Sequence, residues 1–184
     1  ALINCGRREP ARAKRIDPIF GYNLRMTEWQ AAILRRQLER LPDQHARRSA
    51  QVARLADGLR QIPGIAVPPP DPRLTPTHYQ LILRYDATEF AGAPRDAVVL
   101  ALRAEGIPCS GRFYVPVNED PLFVQDARTN PVARARDYAA QSFPVAQRAA
   151  YHETIWLPHE LFLGPPSDMD DLVRAVAKVR TQAE

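Results

Sequence analysis

The stretch GYNLRMTEWQAA occupies residues 21–32, where the first regular element of the sequence is expected. Within it, Thr27 is a residue type that favours the N-cap of a helix, and Gln30 stands three positions later, where a capping box places Glu or Gln. The stretch therefore predicts that a helix begins at Thr27. Apolar residues continue that helix at the spacing of one face, and they are Trp29, Ile33, Leu34, Leu38 and Leu41.

Pro42 divides this helical pattern, because proline lacks an N–H and its ring clashes with the preceding turn. We expect the first helix to break or kink there and a second helix to follow it as far as Pro63-Gly64. The apolar residues expected on one side of the second helix are Ala46, Ala50, Ala53, Ala56 and Leu59, with Val52 and Leu55 beside them. The sequence thus predicts a helix pair over residues 27–62.

The pattern changes after the run of three prolines at residues 68–70. From Tyr79 onward, apolar residues alternate with others, which predicts a strand with one buried face. Further strands are predicted over residues 107–113 and 154–157. Helices are predicted after Pro94, ending at Gly106, and after Ser167 as the N-cap. This order predicts an α+β fold in which helices pack on one face of a small, mainly antiparallel sheet.

The composition is that of a globular protein, with 184 residues, 45% hydrophobic and 25% charged. It excludes disordered, collagen-like and disulfide-stapled chains. The net charge is +4, and all basic residues except Lys14 and Lys178 are arginines. Because these arginines alternate with acidic residues and no groove-reading motif accompanies them, we expect solvated helix faces and no nucleic-acid partner. Two distant cysteines and no apolar run near the roughly 20 residues of a membrane span predict a cytoplasmic protein with no membrane partner.

Two loops carry polar side chains suited to ligand binding. The first places Tyr22, Asn23 and Arg25 directly before a helix N-terminus, and such donors suit a phosphate monoester. The same residues also suit a local turn in which Asn23 bonds to its own backbone. The residues alone leave these two interpretations equally open.

The second loop covers residues 111–118, where Gly111 precedes Tyr114 and Asn118 on a proline-stiffened segment. It suits a sugar or polyol site as well as a structural corner. His78 and Tyr79 begin the first strand and either face a pocket or pack at the edge of the sheet. A metal site is not expected, because the clustered carboxylates stand in the first turn of a helix, where the helix dipole favours them. Those carboxylates are Asp168, Asp170 and Asp171.

The stretch at residues 21–32 resembles the G-Y-N-x-R-M-[ST]-E-x-Q-A-A segment of the DegT/DnrJ/EryC1/StrS aminotransferases. The downstream order is also similar, with AEGIP at residues 104–108, the loop at residues 111–118, and FPVA at residues 143–146 before a final helix. The stretch IWLPH at residues 155–159, followed by Leu163-Gly164 and DMDD at residues 168–171, resembles most the branch with scyllo-inosose-type aminocyclitol aminotransferases. The resemblance covers nearly the whole chain.

The resemblance implies the C-terminal small domain of the aspartate-aminotransferase fold, fold type I of the enzymes that use pyridoxal 5′-phosphate (PLP). It divides the chain into an arm and cofactor-facing loop (residues 1–26), linking helices (27–62) and the small domain (63–184). It also implies a homodimer in which Asn23, assisted by Tyr22 and Arg25, reaches the PLP phosphate of the neighbouring subunit. In relatives the second loop faces the substrate, and we expect Tyr114, Asn118, His78 and Tyr79 to do so here.

The reaction implied is transfer of an amino group from glutamate or glutamine to a keto-sugar nucleotide or keto-cyclitol. The family uses a lysine that forms a Schiff base with PLP, and neither Lys14 nor Lys178 has the sequence context of that lysine. We therefore expect the chain to be the C-terminal part of a longer enzyme, with no catalytic residue of its own and no activity alone. The alternative is a stand-alone, non-catalytic binding or scaffolding module related to the family.

Overall fold

A computed structural model of the chain describes residues 24–111, 114–121 and 141–183. The described helices and strands are α1 (Glu28–Leu59), β1 (Ile65–Ala66), β2 (Gln80–Tyr85), α2 (Arg95–Ala104), α3 (Pro144–Arg148), β3 (Thr154–Pro158) and α4 (Pro166–Ala183). Short 3-10 turns cover Ala87–Phe90, Val117–Glu119 and His159–Leu163, and a π-helical turn covers Ala149–Glu153. The chain divides into two compact units, of which the first ends at Asp43 and the second begins at Gln44.

The second unit is built on a three-stranded antiparallel sheet in the order β1-β2-β3. Leu81, Leu83 and Tyr85 of β2 are buried, and so are Ile155 and Leu157 of β3. Leu81 pairs with Leu157 and Leu83 with Ile155, so one face of the two strands is apolar throughout. The alternation predicted for β2, and the strand predicted at residues 154–157, are confirmed. Tyr79 lies just before β2 and is exposed.

One predicted strand is wrong, and one short strand was not predicted. Over the described residues 107–111, the chain forms only an isolated bridge between Ser110 and Trp156 instead of a strand. Pro108 lacks the N–H that a strand would use for pairing, which shortens the pairing to this bridge. Residues 112–113 lie outside the described residues. The strand that was not predicted is β1. It has only two residues and follows Gly64, a glycine with φ of 83°.

Helices α2 and α4 cover the apolar face of the sheet, as predicted. Their buried residues are Val98, Val99 and Leu102 of α2, and Met169, Leu172, Ala175, Val176 and Val179 of α4. Gly106 follows α2 with φ of 87°, in agreement with the predicted end of that helix. The predicted N-cap of α4 is wrong by position, because the helix already begins at Pro166 and Ser167 lies in its first turn. The α+β class of helices on a small antiparallel sheet is confirmed.

Helix α1 contradicts the predicted helix pair, since it runs through Pro42 without interruption. A proline inside a helix costs about 3 kcal/mol, and good helix formers on both sides offset part of that cost. The buried side of its C-terminal half also differs from the prediction, because Ala46, Ala50 and Ala53 are exposed. The buried residues are Arg48, Gln51, Val52, Leu55 and Leu59. Two of these are polar, and each is buried with a hydrogen-bond partner: Arg48 donates to the carbonyl of Thr77, and Gln51 donates to the carbonyl of Gly164.

The apolar stripe predicted on the N-terminal half of α1 is exposed throughout. The exposed fractions are 83% for Trp29, 62% for Ile33, 47% for Leu34, 63% for Leu38 and 43% for Leu41. No helix among the described residues has the length and apolar content to cross a bilayer.

Two polar contacts fix helices of the second unit to one another. The guanidinium of Arg54 on α1 donates to both carboxylate oxygens of Asp170 on α4, at 2.8 and 2.7 Å. Lys178 on α4 donates to both oxygens of Glu105, the C-cap of α2, at 2.8 and 2.9 Å. Both ion pairs lie at the surface, where salt screens them.

Candidate functional site

The predicted cofactor-facing loop is described only from Leu24 onward. Tyr22 and Asn23, the first two predicted phosphate ligands, lie outside the described residues. Arg25 is described and is exposed. It lines a shallow groove with residues that are mostly apolar, namely Leu24, Met26, Gln30, Ile33 and Leu34.

The helix start beside Arg25 has the predicted capping box. The backbone N–H of Gln30 donates to Thr27 Oγ1 at 3.4 Å, and the backbone N–H of Thr27 donates to Gln30 Oε1 at 2.8 Å. These reciprocal bonds fix the direction in which the loop enters α1. The prediction that the helix begins at Thr27 is confirmed to one residue, with Thr27 as the capping residue before Glu28.

The second predicted loop is held close to the sheet by an aromatic contact. The rings of Tyr114 and Trp156 meet edge to face, with centroids 6.0 Å apart. Tyr114 nevertheless keeps 66% of its surface exposed. The ring of Tyr114 therefore contacts the sheet at Trp156 while most of its surface stays accessible.

Asn118 makes a contact within the chain. Its side-chain N–H donates to the backbone carbonyl of Gln141 at 3.3 Å. The bond joins the short turn at Val117–Glu119 to the segment that leads into α3. A side-chain amide has two N–H groups and one oxygen, so this bond uses one of its hydrogen-bonding groups.

Glu119 directly follows this loop, was not among the predicted site residues, and accepts hydrogen bonds at both of its carboxylate oxygens. Its Oε1 accepts from Gln147 Nε2 at 2.6 Å, and its Oε2 accepts from the hydroxyl of Tyr151. These two bonds, that of Tyr151 first, hold the pKa of the Glu119 carboxyl below its ordinary value. The only sequence signal was an acid next to Asn118, and its partners lie 28 and 32 residues away.

Arg95 is a second residue that sequence reasoning missed. Its side chain is buried at the start of α2, and its Nη1 donates to three backbone carbonyls, those of Gly111, Ala150 and Thr154. A Cβ at Gly111 would lie 2.5 Å from Arg95 Nε, so the glycine is required by this close approach. Arg95 thereby holds the start of the second loop to the π-helical turn and to β3.

His78 has a strained backbone in front of β2. Its φ is 53°, in the left-handed region. Burial lowers the pKa of the half-buried imidazole, and the charges of His45 and Arg48 lower it further. Arg48 Nε donates to the carbonyl of Thr77 at 3.1 Å, and His45 Nε2 lies 3.0 Å from the carbonyl of Pro76. His45 on α1 thus contacts the segment before β2.

Tyr79 stacks on His159, with ring centroids 5.9 Å apart and an angle of 26° between the planes. The described contacts therefore place the four predicted substrate residues in two settings. Tyr114 and Asn118 share the loop beside Trp156 and Gln141, whereas His78 and Tyr79 lie beside α1 and His159. Their roles in binding the substrate stay predictions.

Two of the three acidic residues at the start of α4 pair with arginines. Asp170 pairs with Arg54, and Asp171 pairs with Arg174. Across the described ranges, no three His, Cys, Asp or Glu side chains converge in a way that could hold a metal ion.

Comparison with known proteins gives the relatives of this chain. A family profile described as the DegT/DnrJ/EryC1/StrS aminotransferase family matches residues 1–177. A Streptoalloteichus tenebrarius protein, provisionally named L-glutamine:3-amino-2,3-dideoxy-scyllo-inosose aminotransferase, is 40% identical over all of this chain and 46% of its own length. A Streptomyces kanamyceticus protein with the same provisional name is 40% identical over 98% of this chain and 45% of its own. The L-glutamine:2-deoxy-scyllo-inosose aminotransferase of Micromonospora echinospora is 34% identical over 88% and 39%.

Solved structures show the same fold. An aminotransferase from Psychrobacter cryohalolentis superposes with a TM-score of 0.71 at 20% identity, covering 98% of this chain and 47% of that one. A 3-amino-5-hydroxybenzoic acid synthase superposes with a TM-score of 0.69 at 24% identity, covering 98% and 45%. The expected fold type is confirmed. The chain spans about half the length of the curated relatives it matches. On the profile match and the identities together, the chain belongs to the DegT/DnrJ/EryC1/StrS aminotransferase family.

Proposed function

We propose that this chain is part of a PLP-dependent aminotransferase that moves an amino group from L-glutamine to a keto-cyclitol. The observation that carries this proposal is the 40% identity, over the whole chain, to relatives named for L-glutamine and 3-amino-2,3-dideoxy-scyllo-inosose. The relative named for 2-deoxy-scyllo-inosose is less similar, at 34%. We therefore place the amino-bearing ketone first among substrates. Glutamate as donor and a keto-sugar nucleotide as acceptor are the other members of the predicted classes.

The residues at the start of α1 fit the phosphate of PLP. Arg25 supplies a cation, and the capping box orients the helix N-terminus beside it. Asn23 and Tyr22 precede this point directly in sequence, and we propose that they complete the phosphate site with Arg25. When bound, PLP supplies the electron sink and the carrier of the amino group. We further propose that a second copy of the chain shares this site in a homodimer.

The Schiff-base lysine is proposed to come from polypeptide outside this sequence. Lys178 is unsuitable, because both oxygens of Glu105 bind its ammonium on the surface of the second unit. Lys14 lies outside the described residues and lacks the sequence context that the family uses. The chain is therefore proposed to carry no catalytic residue of its own.

The substrate is proposed to contact the second loop. Tyr114 presents an exposed phenol that can donate to or accept from a ring hydroxyl of a cyclitol. Asn118 can offer its side-chain amide, of which one N–H is bonded to Gln141. Tyr79 and His78 stay predicted substrate residues, with Tyr79 the more accessible of the two. The enzyme is proposed to act in the cytoplasm.

The test uses the PLP-loaded enzyme that contains this sequence. L-glutamine is expected to remove the visible absorbance of the bound cofactor, and 3-amino-2,3-dideoxy-scyllo-inosose is expected to restore it. D-glutamine serves as the control for the donor and 2-deoxy-scyllo-inosose as the weaker acceptor. A spectrum that does not change with L-glutamine contradicts the proposal. Restoration by keto-sugar nucleotides alone would assign the acceptor to the other predicted class.

A further inference from the structure

Glu119 lies where the second loop meets the segment that runs from α3 into the π-helical turn. We propose that Glu119 is a positioning residue, whose carboxylate anchors the turn at Val117–Glu119 to Gln147 and Tyr151 and so fixes Tyr114 for contact with the ketone. The inference rests on the proposed function for the identity of the ketone. It assigns Glu119 no contact with substrate or cofactor.

The contacts of Glu119 use both of its oxygens. Gln147 Nε2 donates to Oε1 at 2.6 Å, and the Tyr151 hydroxyl donates to Oε2. One donor stands on α3 and the other on the π-helical turn, so a single carboxylate joins the loop to two consecutive elements. The neighbouring Asn118 adds a third bond, from its side-chain N–H to the carbonyl of Gln141. Three bonds within two residues leave this turn little freedom relative to α3.

The chemistry of these bonds requires a carboxylate. An ionised carboxylate accepts at both oxygens, whereas the amide of glutamine accepts at one oxygen and donates from its nitrogen. Bonds to a charged acceptor are also about twice as strong as bonds between neutral groups. Because both donors are neutral, the negative charge of Glu119 is used for hydrogen bonding and forms no ion pair in these two contacts.

The elements that hold Glu119 are themselves fixed. Arg95 Nη1 donates to the carbonyl of Ala150 in the π-helical turn and to that of Gly111 at the start of the loop. The hydroxyl of Thr154 donates to the carbonyl of Ala149 at 2.8 Å. The loop is thus attached at its start through Arg95 and at its far turn through Glu119. Tyr114 stands between these two attachments, in contact with Trp156.

The first test compares Glu119→Ala, Glu119→Gln and Tyr151→Phe in the PLP-loaded enzyme. Glu119→Ala is expected to raise the KM for the ketone by about tenfold, the effect of losing one to two hydrogen bonds to a charged group. The rate of the half-reaction with L-glutamine is expected to stay within about twofold, because the loop is proposed to position the ketone. Glu119→Gln and Tyr151→Phe are expected to give smaller increases in the same KM.

Glu153→Ala is the matched control. It removes a carboxylate from the same π-helical turn, where Glu153 pairs with Arg148 at the surface. Its KM for the ketone is expected to equal that of the unsubstituted enzyme. An unchanged KM in Glu119→Ala overturns the inference, and so does an equal loss in both half-reactions, which would assign Glu119 a general structural role.

A second readout does not depend on turnover. Amide hydrogen exchange of residues 114–120 is expected to speed up in Glu119→Ala and to stay unchanged in Glu153→Ala. If the unsubstituted enzyme fails to aminate the ketone, the proposed function falls, and the exchange rates alone decide whether Glu119 anchors the loop. Exchange that is the same in Glu119→Ala and the unsubstituted protein refutes the anchoring.

Discussion

Gly111 has no side chain, and this leaves room for the buried guanidinium of Arg95. The guanidinium of Arg95 occupies the volume that a Cβ at residue 111 would need, at 2.5 Å from Nε. Gly111→Ala is therefore expected to lower the free energy of unfolding by about 1–3 kcal/mol, as overpacking does. Denaturant unfolding followed by circular dichroism measures this change.

The control for Gly111→Ala is the same substitution in a chain that carries Arg95→Ala. With the guanidinium removed, the added methyl has room, so the two substitutions are expected to be less destabilising together than the sum of their separate effects. Additive effects would show that Arg95 is not what excludes a side chain at this position.

Residues such as Glu119 and Arg95 mark the limit of what one sequence reveals. The glycine and the aromatic residue of the second loop were evident at residues 111–118 because they lie close together in sequence. The donors to Glu119 and the carbonyls bonded by Arg95 Nη1 lie between 16 and 59 residues away, so only the fold brings them together. Asn118 was selected as a ligand because the amide suits one, and its bond to Gln141 was not visible from the sequence.

At the scale of elements, the apolar residues of α1 differ in burial along the length of the helix. Leu55 is fully buried, whereas Leu38 is 63% exposed. Leu55→Ala is expected to lower the free energy of unfolding by about 2–5 kcal/mol, through lost burial and the cavity that remains. Leu38→Ala, the matched control on the same helix, is expected to change it by no more than about 0.5 kcal/mol. Equal effects, measured by urea unfolding of the chain, would contradict the described burial of α1.

The ion pair between α1 and α4 gives a pH-dependent prediction. The hydrogen bonds from Arg54, with its charge, lower the pKa of the Asp170 carboxyl. A carboxyl whose pKa is lower in the folded state stabilises that state above its unfolded pKa, and this stability is lost as the pH falls through the folded pKa. Asp170→Asn is therefore expected to lower the Tm slightly at pH 7 and to have no effect below the folded pKa. The melting curves of both proteins between pH 7 and pH 2 measure this difference.

A decrease in Tm that persists unchanged at pH 2 would contradict the role of the Asp170 charge. High salt at pH 7 provides the control, because both partners are about half exposed and salt screens such pairs. The difference in Tm is expected to shrink as salt is added.

Elements with a clear period were the predictable part of the fold. The alternation in β2 and the apolar spacing of α2 and α4 each reflect one buried face, which a sequence shows directly. Helix α1 was harder, because Pro42 is a local signal against helix that the residues on either side override. β1 has two residues, too few to show any period.

At the scale of the whole molecule, family membership and proposed function rest on different observations. The profile over residues 1–177 and the identities near 40% establish the family. The structure adds that Tyr114 is exposed and that Glu119, which follows its loop, is bonded to α3. The motif at residues 21–32 predicted the family from sequence. The roles of the substrate residues stay predictions, because a contact with a bound substrate is what would identify them.

We propose that an enzyme containing this chain transfers the α-amino nitrogen of L-glutamine to a keto-cyclitol. The most direct measurement is mass spectrometry of the cyclitol product after turnover with L-glutamine carrying ¹⁵N at the α-amino position, beside L-glutamine carrying ¹⁵N at the amide. The account predicts a cyclitol amine that gains ¹⁵N from the α-amino label and none from the amide label. A product that contains no ¹⁵N from the α-amino position would contradict it.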